Sequence, residues 1–166
     1  MYQMKDLITL SDVAEILGDE EHRLIHLCER NVVVPVEDAH GRGTVRRFSR
    51  DNLFCFAVAL ELQKWGVQVK SLQRVVKLLM HLAAAGRARD VKDVVDQFMN
   101  EATQCLLTIH RADTVEMTDS HGKSMVMTLD EDGNPTVIAG PDFPRSDSHV
   151  VVDLLAIARR IDGQIK

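Results

Sequence analysis

Residues 8–31, ITLSDVAEILGDEEHRLIHLCERN, decide the fold, because they read as two short helices joined by a tight turn. In 8–17, Ser11 is the expected N-cap, and Asp12 and Glu15 follow early, where the helix dipole favours acids. Val13, Ile16 and Leu17 give an apolar stripe at helical spacing, and Gly18 ends the helix. A second helix, 19–30, follows after almost no connection. Leu24, Leu27 and Cys28 share one face of it, while Glu21, His22, Ile25, His26 and Glu29 lie elsewhere. Asn31 stands where glycine is usual after a helix and tolerates the left-handed conformation. Such a pair is the sequence form of a helix-turn-helix.

Outward from this pair the period changes. Val32–Pro35 reads as a strand entry and Thr44–Phe48 as a second short strand, with Asp38, Gly41 and Gly43 marking the loop between them. The expectation is a β-hairpin "wing" bearing Arg42, Arg46 and Arg47. Ser49 then caps a helix over 50–65 with Leu53, Phe54, Phe56, Ala57, Leu60 and Leu62 as apolar positions, which Trp65-Gly66-Val67 breaks. Ser71 is the expected cap of a helix over 71–85, Gly86 interrupts, and 89–103 reads as one more amphipathic helix around Val91, Val94, Val95, Phe98 and Met99. From there the texture is β-rich: 105–118, 124–129 and 136–139, with turns at 120–123 and 130–135. A final helix is expected over 147–162, with Val151, Leu154, Leu155, Ala158 and Ile161 inward. The fold class is therefore mainly α with a small α+β part. A winged helix-turn-helix domain (1–85) leads through a linker or dimerisation helix (86–104) to a small α+β domain (105–166).

Composition narrows the function. With 166 residues, 45% hydrophobic and 27% charged, the chain is ordinary globular material. No apolar run approaches the ~20 residues of a membrane span. The opening MYQMKDLITL lacks a signal-peptide pattern, so a cytoplasmic location is expected, with no membrane partner. Cys28, Cys55 and Cys105 are odd in number and far apart, which excludes a disulfide framework and CxxC chemistry. P-loops, dinucleotide glycine patterns, GxSxG and HExxH are absent, so neither an enzyme nor a cofactor nor a metal is expected. The net charge of −5 hides an uneven distribution. Residues 1–70 carry 9 basic and 11 acidic side chains and 71–100 carry 5 and 3, so 101–166, with 6 and 11, supply the whole excess. Residues 39–50, AHGRGTVRRFSR, hold four arginines and no acid. Attraction to phosphate acts over about a Debye length of ~8–10 Å, so an acidic total leaves a local basic surface intact.

The order helix, helix, arginine-rich wing, helix, helix resembles the MerR family of winged-helix transcription regulators over residues 7 to about 82. Three segments carry the likeness in order: ITLSDVAEILGDEEHRLIHLCERNVVVP, GRGTVRRFSRDNL and LELQKWGVQVKSLQRVVKLL, the last with Gly66, Val67 and Leu72 at matching positions. The resemblance implies a homodimer on near-palindromic promoter DNA, distortion of that DNA for RNA polymerase, and control by an unidentified small-molecule effector. The departures are specific. The recognition helix opens Asp19-Glu20-Glu21, His26-Leu27 occupies the family's tyrosine positions, His22 matches its arginine, and Phe48 replaces the wing tyrosine. Gly86 also cuts the segment that forms the family's dimer coiled coil.

The candidate DNA contacts are His22, Arg23 and His26 on the second helix and Arg42, Arg46, Arg47 and Arg50 in and beside the wing. Guanidinium forks match phosphate oxygens, and side chains of a helix in the major groove reach base edges. The plain alternative for each is a solvated charged surface, and Asp19, Glu20 and Glu21 favour it for the helix. Cys28 and Cys55 read as small core hydrophobes, and Met117, Met125 and Met127 as core or the lining of a small pocket. A different class of function stays open: a protein–protein assembly or accessory factor with a weak DNA-anchoring winged helix.

Overall fold

The computed structural model describes residues 7–38, 44–85, 104–111, 113–122, 124–139 and 149–164. These comprise five helices and one five-stranded antiparallel sheet, a mixed α/β architecture. The expected helix at 89–103 lies outside the described residues.

Helix α1 is Leu10–Leu17, capped by Thr9 rather than Ser11. The reason is reciprocity. The Thr9 hydroxyl accepts from the Asp12 amide at 3.2 Å while the Asp12 carboxylate accepts from the Thr9 amide at 2.7 Å. Ser11 would place Ala14 at the answering position, where no acceptor exists. Gly18 (φ 64°) closes α1 as expected. Helix α2, Glu21–Glu29, ends in a Schellman arrangement around Asn31 at φ 52°. There the Val32 amide donates to the Leu27 carbonyl at 2.8 Å and the Asn31 amide to that of Cys28 at 2.9 Å.

The wing is less regular than expected. Instead of a two-stranded hairpin, residues 31–38 and 44–49 contribute two isolated antiparallel bridges, Glu37 with Arg47 and Ile8 with Phe48. Val32 and Val33 turn into the core at the end of α2 instead of extending a ladder. Ser49 caps α3, Arg50–Lys64, in a box with Asn52, whose amide nitrogen also donates to the Val34 carbonyl at 3.0 Å and so ties the wing to the helix. Helix α3 is buried nearly all round, from Asn52 through Leu60 and at Leu62, as a central helix must be. It ends in a second Schellman turn at Gly66 (φ 73°). Helix α4, Val69–Ala85, starts two residues before its expected cap. The Ser71 amide already donates to the Gln68 carbonyl at 3.0 Å, so Ser71 is buried in the first turn.

The sheet comprises β1 (Cys105–Arg111), β2 (Thr114–Asp119), β3 (Ser124–Leu129), β4 (Pro135–Ala139) and β5 (Val150–Asp153), in the order β4-β3-β2-β1-β5. Strand β5 replaces the start of the expected last helix. Three successive β-branched residues, Val150–Val152, favour the pleated conformation over a helical turn, and Val151 faces outward. Helix α5 is therefore Leu154–Gln164, with the Asp153 carboxylate accepting from the Ala156 amide at 3.0 Å at its start. Leu154, Leu155, Ala158 and Ile161 are buried as expected.

One cluster of buried side chains runs from Val13 and Phe48 through α3 to Leu107, Met117, Met127 and Ile161, joining the helices to one face of the sheet. Met117 and Met127 are thus core, with Met125 packed against it. The turn between β3 and β4 presses on α4. Gly133 (φ 73°) has no room for a side chain, since an added Cβ would meet the Lys77 Cβ at 2.4 Å and the Arg74 carbonyl at 2.8 Å. The opposite face of the sheet holds a buried pair, with His110 Nε2 3.0 Å from Glu116 Oε2. Among the described residues no helix is long and apolar enough to cross a membrane.

Candidate nucleic-acid interface

Helix α2 sorts its side chains by face. Leu24, Leu27 and Cys28 are buried, while His22, Arg23 and His26 point outward. His22 and His26, one turn apart, meet edge-on with ring centroids 6.5 Å apart. The acids that open the helix are not idle. Arg23 Nη1 donates to both carboxylate oxygens of Asp19 at 2.7 and 2.8 Å, His22 lies 3.0 Å from Glu20, and His26 lies 3.2 Å from Glu29.

In the wing, consecutive extended residues send side chains to opposite sides. Arg46 donates to Asp38 at 3.0 Å. Both lie close enough to α2 for their charges to act on the Cys28 thiol. Arg47 lies toward α1, where its charge adds to the two Thr9 hydrogen bonds that chiefly hold the Asp12 carboxyl below its ordinary value. Its backbone forms the bridge to Glu37, donating at 2.9 Å. Arg50, at the start of α3, donates to Asp162 near the end of α5. Arg42 lies outside the described residues. Arg46 thus joins the α2 set, whereas Arg47 and Arg50 face α1 and α5.

Three features have weak or no sequence signal. Val34, Val36 and Val45 are exposed beside the arginines, at 64%, 57% and 55%, although their alternation reads as strand. Asp162 is 112 residues from Arg50, with nothing local to announce the pair. A third contact, Gln73 donating to the Arg30 carbonyl at 2.6 Å, fastens the end of α2 to α4.

Apart from Arg23–Asp19, whose carboxylate is largely buried, the pairs are exposed or half-exposed, and each of these contributes little stability, about 0–1 kcal/mol. An anionic oxygen of a ligand can compete with the exposed carboxylates among these partners at small cost. Burial raises the Cys28 thiol to about 11 and pushes the Cys55 thiol up as well. Among the described residues no cluster of three or more metal-ligating side chains occurs. No protein-family model matches the chain, and no curated protein matches it.

Proposed function

We propose that the protein is a sequence-specific DNA-binding transcription regulator of MerR type, with residues 1–85 as its winged helix-turn-helix. The observation that carries this reading is the sorting of α2: an apolar face locked into the core and an outward face of His22, Arg23 and His26, flanked by Arg46. In this reading α2 enters the major groove and the wing arginines hold flanking phosphates. A homodimer presents two such helices about 34 Å apart on a near-palindromic promoter site, where RNA polymerase is the expected further partner. Arg50 contributes when Asp162 releases it.

The test is binding to duplex DNA spanning the gene's own upstream region across a salt series, for the wild type and Arg46→Ala/Arg47→Ala. Each phosphate contact adds about 0.9 to the salt slope, so the variant binds with a slope shallower by about 2. An unchanged slope removes the wing from the interface.

The assembly-factor reading draws on strand β4, an edge strand among the described residues, with Val137 61% and Ile138 41% exposed. Unpaired apolar edges invite further strands. Its test is the oligomeric state of Val137→Lys, which stays that of the wild type if DNA binding alone explains the chain.

A further inference from the structure

The geometry points to a second binding site, for a small carboxylate carrying a flat apolar group, in the cavity between the end of α3, strand β5 and the first turns of α5. The two helices run in opposite senses. Arg50 at the start of α3 meets Asp162 near the end of α5, while Glu61 and Trp65 at the other end of α3 face Asp153 and Ala156 at the start of α5. Between them lies a cavity of about 340 Å³, within the size range of small-molecule pockets.

Its walls are chemically divided. Trp65, Val151, Val152 and Ile157 supply apolar surface, and Trp65 and Val151 remain 66% and 42% exposed. An indole left this open at the lip of a cavity is a stacking platform for a planar group. Three charged side chains also line the space: Glu61, Asp153 and Arg160. Two are engaged. Lys64 Nζ lies 2.8 Å from Glu61, and the Asp153 carboxylate caps α5 through the Ala156 amide at 3.0 Å. Among the described residues no carboxylate pairs with Arg160. Among the described residues Arg160 is therefore the one charged side chain lining the cavity without a hydrogen-bond partner, and its fork is the shape that binds a carboxylate through two parallel hydrogen bonds. An aromatic acid of benzoate size places its ring on Trp65 and its carboxylate on Arg160. This site stands independently of the DNA-binding reading.

Trp65 is the only tryptophan in the chain, so its fluorescence reports the cavity directly. The experiment titrates the full-length protein with benzoate, benzyl alcohol and benzamidine, and repeats the series on Arg160→Gln, with circular dichroism as the control for folding. Benzoate is expected to produce a saturable change that neither neutral benzyl alcohol nor cationic benzamidine matches. Arg160→Gln, on an exposed side chain, is expected to keep its fold and weaken benzoate about tenfold, the effect of one lost charge-assisted hydrogen bond. No saturable response by about 10 mM benzoate overturns the assignment. So does equal binding by Arg160→Gln, or tighter binding of benzamidine, which would give the cavity to Glu61 and Asp153. A fluorescence change on protein dilution alone would also overturn it, assigning the Trp65 surface to a contact between copies of the chain.

Discussion

Two surfaces of this molecule hold their cations in opposite ways. On the α2 and wing side, Arg23 and Arg46 hold Asp19 and Asp38, and His22 and His26 lie against Glu20 and Glu29, while Arg50 holds Asp162 toward α5. In the cavity beside Trp65 the relation is reversed: among the described residues the acids are hydrogen-bonded and Arg160 is not. A long polyanion gains from many contacts at once and displaces several carboxylates together. A small anion makes one contact and requires a bare cation. The comparison teaches that a net charge of −5 says little about either surface, since what matters is which cations are already answered.

The comparison can be broken most sharply at the wing. Arg46→Ala/Arg47→Ala is expected to weaken DNA binding about 10–100-fold at moderate salt, while leaving any benzoate response of Trp65 unchanged. A loss of both would mean that the variant had damaged the scaffold.

Next in size is the scaffold itself. Gly133→Ala forces a side chain into positive φ and against Lys77 and Arg74, and should cost about 1–3 kcal/mol in denaturant unfolding. Because that turn presses the sheet onto α4, stability falls without any change in α2 or in the cavity lining.

Thr9→Ala removes the cap of α1 and should cost about 1 kcal/mol. The acid limb of stability sharpens this prediction. Asp12 is held below its ordinary value of 3.8, mainly by the Thr9 hydroxyl and amide, so its contribution is present above 3.8 and is lost as pH falls through the depressed folded value. Thr9→Ala should flatten that limb, as read by urea midpoints across the acid range.

The smallest effect is expected at the long-range pair. Asp162→Asn releases Arg50, so DNA affinity should rise about two- to threefold with less than about 1 kcal/mol lost in stability. A fall in affinity would show that Asp162 positions Arg50 for DNA instead of withholding it.

How far the chain announces these features depends on the range of the physics involved. Local signals read well. Gly18, Asn31, Ser49 and Gly66 mark helix ends where backbone sterics and capping act within a few residues, and β3 and β4 follow the alternation and turn residues around them, whereas 105–118, which reads as one β-rich stretch, is divided between the antiparallel strands β1 and β2. The competition between caps is less legible, since Thr9 beats Ser11 only because Asp12 answers it. Strand β5 was hidden because Val151, Leu154, Leu155, Ala158 and Ile161 fit a helical period, and only the β-branched run of Val150–Val152 points to the strand. Of the candidate interface, the outward set on α2 is legible from the apolar spacing of Leu24, Leu27 and Cys28. The partners that mask it were not all legible. Asp19 is one turn from Arg23, but Asp162 reaches Arg50 only through the packing of α5 on α3, which has no local trace.

The central claim is that the outward face of α2 reads sequence while the wing supplies sequence-independent attraction. The most direct measurement is the ratio of affinities for the upstream fragment and for an unrelated duplex at one salt concentration, in the wild type, Arg23→Ala/His26→Ala and Arg46→Ala/Arg47→Ala. The wild-type ratio is expected to be about 10³ or more, to collapse in the α2 variant, and to stay nearly constant in the wing variant, which binds both duplexes more weakly. A wild-type ratio near one, or a ratio that survives loss of Arg23 and His26, would contradict it.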